Sequence, residues 1–203
     1  MGQLKRLKDG KQMNKKQLIN PLFNKYLNEL TNTAYSADCH YHIWWIYKKD
    51  RPKYVVIMNK YLGFFGPSIS AHFVAMLMAL CNLYDTRKDT VNFKNLVKII
   101  KENHLLDGSI VANIEDLLKK KEALIKKIRI LRSNHFAHIN ENLDYDKTLK
   151  MVNIKYDNFK ELIELSYSIL NNINYVSRIS RSEEDTYRLL DILLKKQKKF
   201  LEN

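Results

Sequence analysis

The chain has 203 residues, 45% of them hydrophobic and 28% charged, with 35 Lys and Arg against 22 Asp and Glu for a net charge of +13. That length and mix suit one domain with a sizeable apolar core and exclude a disordered or collagen-like chain. With only 5 Gly and 3 Pro, turns are few, and the expectation is an all-α fold in a single domain over residues 1–203. The cationic surplus favours a polyanionic partner, with a solvated lysine-rich surface as the plain alternative. Two cysteines, Cys39 and Cys81, are too few for a disulfide framework and point to a reducing compartment. The start is polar and basic rather than apolar, and Gly2 is followed by Arg6 where a myristoylation signal has Ser or Thr. The most apolar run, Ile69 to Leu83, is short for a bilayer. A cytoplasmic location with no membrane partner is expected.

Residues 1–16 read as a basic, frayed start. From Leu18 the apolar positions Leu22, Phe23, Tyr26, Leu27 and Leu30 recur at three- and four-residue steps, which predicts a helix with Pro21 in its first turn. That pattern continues to Tyr47 as one long helix or two in series. Cys39, His40 and His42 lie on it too close in sequence to chelate one metal, because neighbours one and two apart on a helix do not face each other. Arg51-Pro52 marks a break with proline at a helix start, Lys53 to Tyr61 reads as a short helix, and Gly63-Phe64-Phe65-Gly66-Pro67 reads as a turn pinned to the core by its rings. Ser68 then caps a buried central helix with Phe73, Met76, Leu77, Leu80 and Leu83 inward. His72 reads as a satisfied core or helix-start histidine. Asn92 or Thr90 caps a helix from Phe93 to about His104.

Ser109 or Asn113 is expected to open a long helix running to Leu131. Its apolar stripe includes Ile114, Ile128 and Leu131, and its other face carries Lys119, Lys120, Lys121, Lys126, Lys127 and Arg129. Lys126, Lys127 and Arg129 are the candidate RNA-binding residues on that face. Beyond a polar loop, Tyr156 to Tyr175 forms another amphipathic helix. Ser182-Glu183-Glu184-Asp185 opens a C-terminal helix over 182–200, an appendage or part of a dimer surface.

The long helix ends in Leu131-Arg132-Ser133-Asn134-His135-Phe136-Ala137-His138-Ile139-Asn140. Arginine suits phosphate through its planar fork of donors, and histidine moves protons near neutrality. These are the parts needed to cut a phosphodiester without a metal, and two histidines with no nearby cysteine make a poor zinc site. On a continuous helix of about 100° per residue, Arg132 and His138 lie roughly 240° apart. His135 sits one turn from Arg132, and Asn134 four residues before His138. Either the helix kinks near Ala137, or two chains build the pocket across a two-fold axis.

Arg132, five intervening residues and His138, with Ala137 before the histidine, resemble the R-x(4–6)-H motif of the HEPN superfamily. Leu80-Cys81-Asn82-Leu83-Tyr84-Asp85-Thr86-Arg87-Lys88-Asp89-Thr90-Val91-Asn92 resembles the matching segment of its abortive-infection, AbiU-type branch, with Tyr61-Leu62-Gly63-Phe64-Phe65 ahead of it. The resemblance spans about residues 10 to 175. It implies a HEPN-like up-and-down helical bundle with additional N- and C-terminal helices. It also implies a metal-independent endoribonuclease acting as a toxin or phage-defence effector, without cofactor, active as a homodimer and open to control by an antitoxin protein.

In the chemistry it implies, the RNA 2′-hydroxyl attacks the adjacent phosphorus and expels the 5′-oxygen, leaving a 2′,3′-cyclic phosphate and a 5′-hydroxyl. His138 serves as general acid or base, Arg132 neutralises charge on the non-bridging oxygens, and Asn134 orients phosphate or His138. His135 either supplies a second proton-transfer group or packs. The family motif usually has a polar residue just after arginine, often asparagine; here Ser133 holds that place and Asn134 follows. A non-catalytic HEPN-type module that binds RNA, nucleotide or protein is the second reading.

Overall fold

The computed structural model describes residues 20–136, 150, 152–173 and 182–201. Among these there are eight helices and no strand, so the fold is all-α. The helices are α1 (Pro21–Lys49), α2 (Arg51–Lys60), α3 (Leu62–Leu83), α4 (Phe93–Glu102), α5 (Gly108–Lys120), α6 (Glu122–Phe136), α7 (Tyr156–Ile173) and α8 (Ser182–Leu201). They belong to two compact units: residues 1–34 with 80–178, and residues 35–79 with 179–203.

In the first unit, α5 packs on α7, α4 and α6. Asn20 opens α1 by accepting a hydrogen bond from the Phe23 amide at 2.9 Å, with Pro21 at a position where its missing N–H costs nothing. Phe23 and Leu30 are buried, as are Leu96 and Ile100 on α4, Ile114 on α5, Ile128 and Leu131 on α6, and Phe159 and Leu162 on α7. Asn92 caps α4, accepting from the Asn95 amide at 2.8 Å. The long helix expected to reach Leu131 is two helices that meet at Lys121, whose φ of −107° and ψ of 8° leave the helical range. Asp107 occupies the N-cap position of α5, so neither Ser109 nor Asn113 starts it.

The second unit is built round Ile46, Tyr47, Tyr54, Ile57, Met58, Phe65 and Leu190, with α8 packed on α2. The turn expected at Gly63–Pro67 is helical: α3 starts at Leu62 and carries Pro67 inside it. Phe65 is buried edge-on to Tyr47, with ring centroids 5.6 Å apart. That burial, of order 2–3 kcal/mol for a phenylalanine, offsets the single helix bond that Pro67 cannot donate. Phe65 pins the segment as expected, whereas Phe64 is exposed. Ser68 consequently lies within α3 rather than at its cap. At 22 residues, α3 is long and apolar enough to cross a membrane, so the length argument drawn from Ile69–Leu83 does not hold. Phe65, Phe73, Met76, Leu77, Leu80 and Leu83 on α3 are nonetheless buried within the protein, while Leu62 and Phe64 are exposed.

Candidate functional site

Arg132 lies in the last turns of α6, half-buried, one residue after the fully buried Leu131 and four after the fully buried Ile128. These two apolar anchors fix the rotation of the helix and hence the side on which Arg132 emerges. A bond across to α3 fixes it further, since the Cys81 thiol donates to the Ile128 carbonyl oxygen at 3.6 Å. Burial pushes the Cys81 thiol up to about 12, opposed by the positive charges of Arg132 and Arg129. Cys81 is therefore a neutral packing group, not a nucleophile, and both arginines lie near enough to act on it electrostatically.

The lysine-rich face of the sequence divides into three kinds of residue. Lys120 pairs with Asp116 at 2.6 Å and Lys121 with Glu161 at 2.8 Å. Lys127 donates to the Asn153 carbonyl at 3.0 Å, so of the expected RNA-binding residues it is the one already engaged. Lys126 and Arg129 are exposed and have no ion pair among the described residues. With Arg132 they stand at three-residue steps, which makes them neighbours on successive turns of α6. The backbones of Asn134 and His135 continue α6, but their side chains lie outside the described residues. His138 lies wholly outside them, so the expected pairing of Arg132 with His138 and any kink at Ala137 do too.

The block Leu80–Asn92 folds into a turn held by its own polar groups. Tyr84 is buried at the end of α3, and its hydroxyl donates to the Leu162 carbonyl at 2.6 Å while lying 2.7 Å from the Ser166 hydroxyl, both on α7. Burial pushes the Tyr84 phenol far up, so it stays protonated. Asp85 accepts from the Thr86 amide at 2.7 Å, the Arg87 amide at 3.2 Å and Arg87 Nε at 2.8 Å. Burial raises its carboxyl, and the Arg87 and Thr86 bonds outweigh that effect and hold it below the ordinary value. Asn92 and Asn95 both donate to the Arg87 carbonyl at 2.9 Å. A small cavity lined by Glu29, Thr33, Asn82, Asp85, Thr90 and Val91 opens beside this turn.

In the second unit, the histidines of α1 find partners of another kind. His40 Nδ1 lies 2.8 Å from His72 Nδ1, a distance that requires one ring to donate and the other to accept. His42 stands between the buried Asp38, at 3.3 Å from Nε2, and Glu183, at 3.2 Å from Nδ1. No group of three His, Cys, Asp or Glu among the described residues is placed to hold a metal ion.

An all-α chain with a cation-bearing helix anchored beside a Leu-Tyr-Asp turn is of the HEPN-like class. The model of the AbiU2 family of HEPN proteins matches residues 22–190, and the chain belongs to that family. No curated protein and no solved structure matches it.

Proposed function

We propose that the protein is a metal-independent endoribonuclease of the abortive-infection type. The observation that carries this reading is the run of cations Lys126, Arg129 and Arg132, each a neighbour of the next as the run winds about 120° round α6, leading into the Arg132–His138 motif. Arginine and lysine at successive turns track a phosphate backbone, and the half-buried Arg132 at the end of the row is the member best screened from water. A charge there acts more strongly on a developing phosphorane than it would in the open solvent. In this reading, the 2′-hydroxyl oxygen forms its bond to phosphorus as the bond to the 5′-oxygen breaks. His138 moves the proton, giving a 2′,3′-cyclic phosphate and a 5′-hydroxyl end. Arg132 comes from one chain and His138 from its partner in a homodimer, which removes the mismatch of their positions on a single helix.

The test is cleavage of a labelled RNA by the purified chain in EDTA, beside Arg132→Ala and His138→Ala. The expected result is cutting that leaves 5′-hydroxyl ends and is lost in both variants, with circular dichroism unchanged. RNA binding without cutting would assign the chain to the non-catalytic HEPN-type module instead.

A further inference from the structure

The first unit has a second feature, separate from the cation row of α6. An open groove of about 650 Å³ runs along α4, α5 and the start of α6. Val97, Leu118 and Ile125 line it with aliphatic carbon, and Lys88, Lys94 and Lys119 stand round it. Three of the four acidic groups in its lining are already occupied: Glu102 pairs with Lys98 at 3.6 Å, Glu115 with Lys101 at 2.7 Å, and Asp85 with Arg87 at 2.8 Å. Glu122 sits in the first turn of α6, where the helix dipole complements its charge. Lys88, Lys94 and Lys119 are exposed and have no ion pair among the described residues, so three cations surround an apolar floor against a single carboxylate, Glu122, that no ion pair engages.

We propose that this groove docks an acidic amphipathic helix of a partner protein. The apolar stripe of that helix covers the half-buried Leu118 and Ile125, and its carboxylates meet Lys88, Lys94 and Lys119. The groove is open and is lined from α4, α5 and the start of α6, a form that an amphipathic helix can lie in. It suits the row of side chains that one helix presents at i, i+3, i+4 and i+7. Single-stranded RNA fits the groove less well, because it binds by stacking bases on free aromatic faces. The two rings in the lining, Tyr84 and Phe93, are packed into the core at 4% and 1% exposure. Phosphates would engage the lysines but leave the aliphatic floor uncovered.

Selection of a phage-displayed library of random peptides, about four helical turns long, against the full chain tests this. Enriched peptides should combine Asp and Glu with apolar residues at helical spacing. They should bind a Lys88→Glu, Lys94→Glu, Lys119→Glu triple variant at least about tenfold more weakly. Leu118→Gln should weaken them as well, with the circular dichroism of both variants unchanged. No enrichment, enriched peptides without acidic residues, or equal binding to the triple variant would overturn the proposal. So would displacement of the peptide by a single-stranded RNA whose own binding is lost in the triple variant, which would assign the groove to nucleic acid.

Discussion

The two units hold their polar interiors together by different means. In the unit that carries α6, Tyr84, Asp85 and Asn92 bond mainly to backbone groups, and neither the raised Tyr84 nor the lowered Asp85 titrates near neutrality. In the other unit the links run between side chains: His40 with His72, His42 between Asp38 and Glu183, Tyr54 with Asp191 at 2.8 Å, and Tyr187 with Asp50. Glu183, Tyr187 and Asp191 follow each other at four-residue steps on α8, so one stripe of that helix makes three of these links. Backbone-directed bonds suit a turn that must keep one geometry. The His40–His72 pair makes its own link dependent on protonation, because burial lowers both rings. The contrast teaches that the turn at Tyr84–Asn92 is held by groups with no charge to gain or lose near neutrality, a constancy the proposed role of Arg132 would use.

The largest expected effect that separates the units is loss of packing. Phe65→Ala should cost about 3–5 kcal/mol and Ile128→Ala about 2–5 kcal/mol, measured by urea unfolding. If the comparison holds, Ile128→Ala also lowers RNA cleavage under conditions where the chain stays folded, and Phe65→Ala does not. Equal losses of cleavage would break it.

Tyr84→Phe sharpens the account of the turn. It removes one hydroxyl, and Ser166 keeps its own bond to the Leu162 carbonyl at 2.9 Å, so the cost should be about 1–2 kcal/mol with little dependence on pH between 6 and 8. A pH-dependent loss would contradict the assignment of Tyr84 as a permanently neutral donor.

For the histidine pair the dependence on pH is the prediction itself. Burial lowers His40 and His72 from the ordinary 6.5, and the charge of His40 lowers His72 further. The unfolded imidazoles therefore take up protons at a pH where the folded ones do not. Stability from this pair is complete above about pH 6.5 and declines as pH falls through the lower folded values. Replacing both residues with Gln, which bonds without titrating, should flatten that slope in thermal unfolding; an unchanged slope would place the sensitivity elsewhere.

The smallest effect is chemical. At pH 8 the buried Cys81 thiol, pushed up to about 12, should resist a thiol reagent, whereas the half-buried Cys39 reacts slowly. Denaturant should make both react. Rapid modification of Cys81 in the folded chain would show that α3 and α6 separate.

Much of this architecture is legible in the sequence because it rests on local signals. The stripe from Phe23 to Leu30, the Asn92 cap and Pro52 at the start of α2 all fall where spacing and capping chemistry put them. Gly63–Pro67 misleads because a turn signal is only a local preference, and the pocket formed with Tyr47 for Phe65 lies elsewhere in the chain. The break at Lys121 is hidden for the opposite reason, since it falls in a lysine run with neither Gly nor Pro. The partners of Tyr84 are 78 and 82 residues away and that of His40 is 32 away, so no window of sequence contains them. At the candidate site, the burial of Leu131 and the emergence of Arg132 follow from helical periodicity. The Lys120–Asp116 pair is a local i,i+4 contact, but the engagement of Lys121 and Lys127 has no local signal, because Glu161 and Asn153 arrive from later in the chain.

The most direct measurement mixes two inactive variants. Arg132→Ala and His138→Ala, each without cleavage alone, are combined under conditions that exchange subunits, and RNA cutting is followed in EDTA. A site built from Arg132 of one chain and His138 of its partner predicts that activity returns, because the mixed dimer keeps one intact pair. A mixture that exchanges subunits yet stays inactive would contradict the composite site.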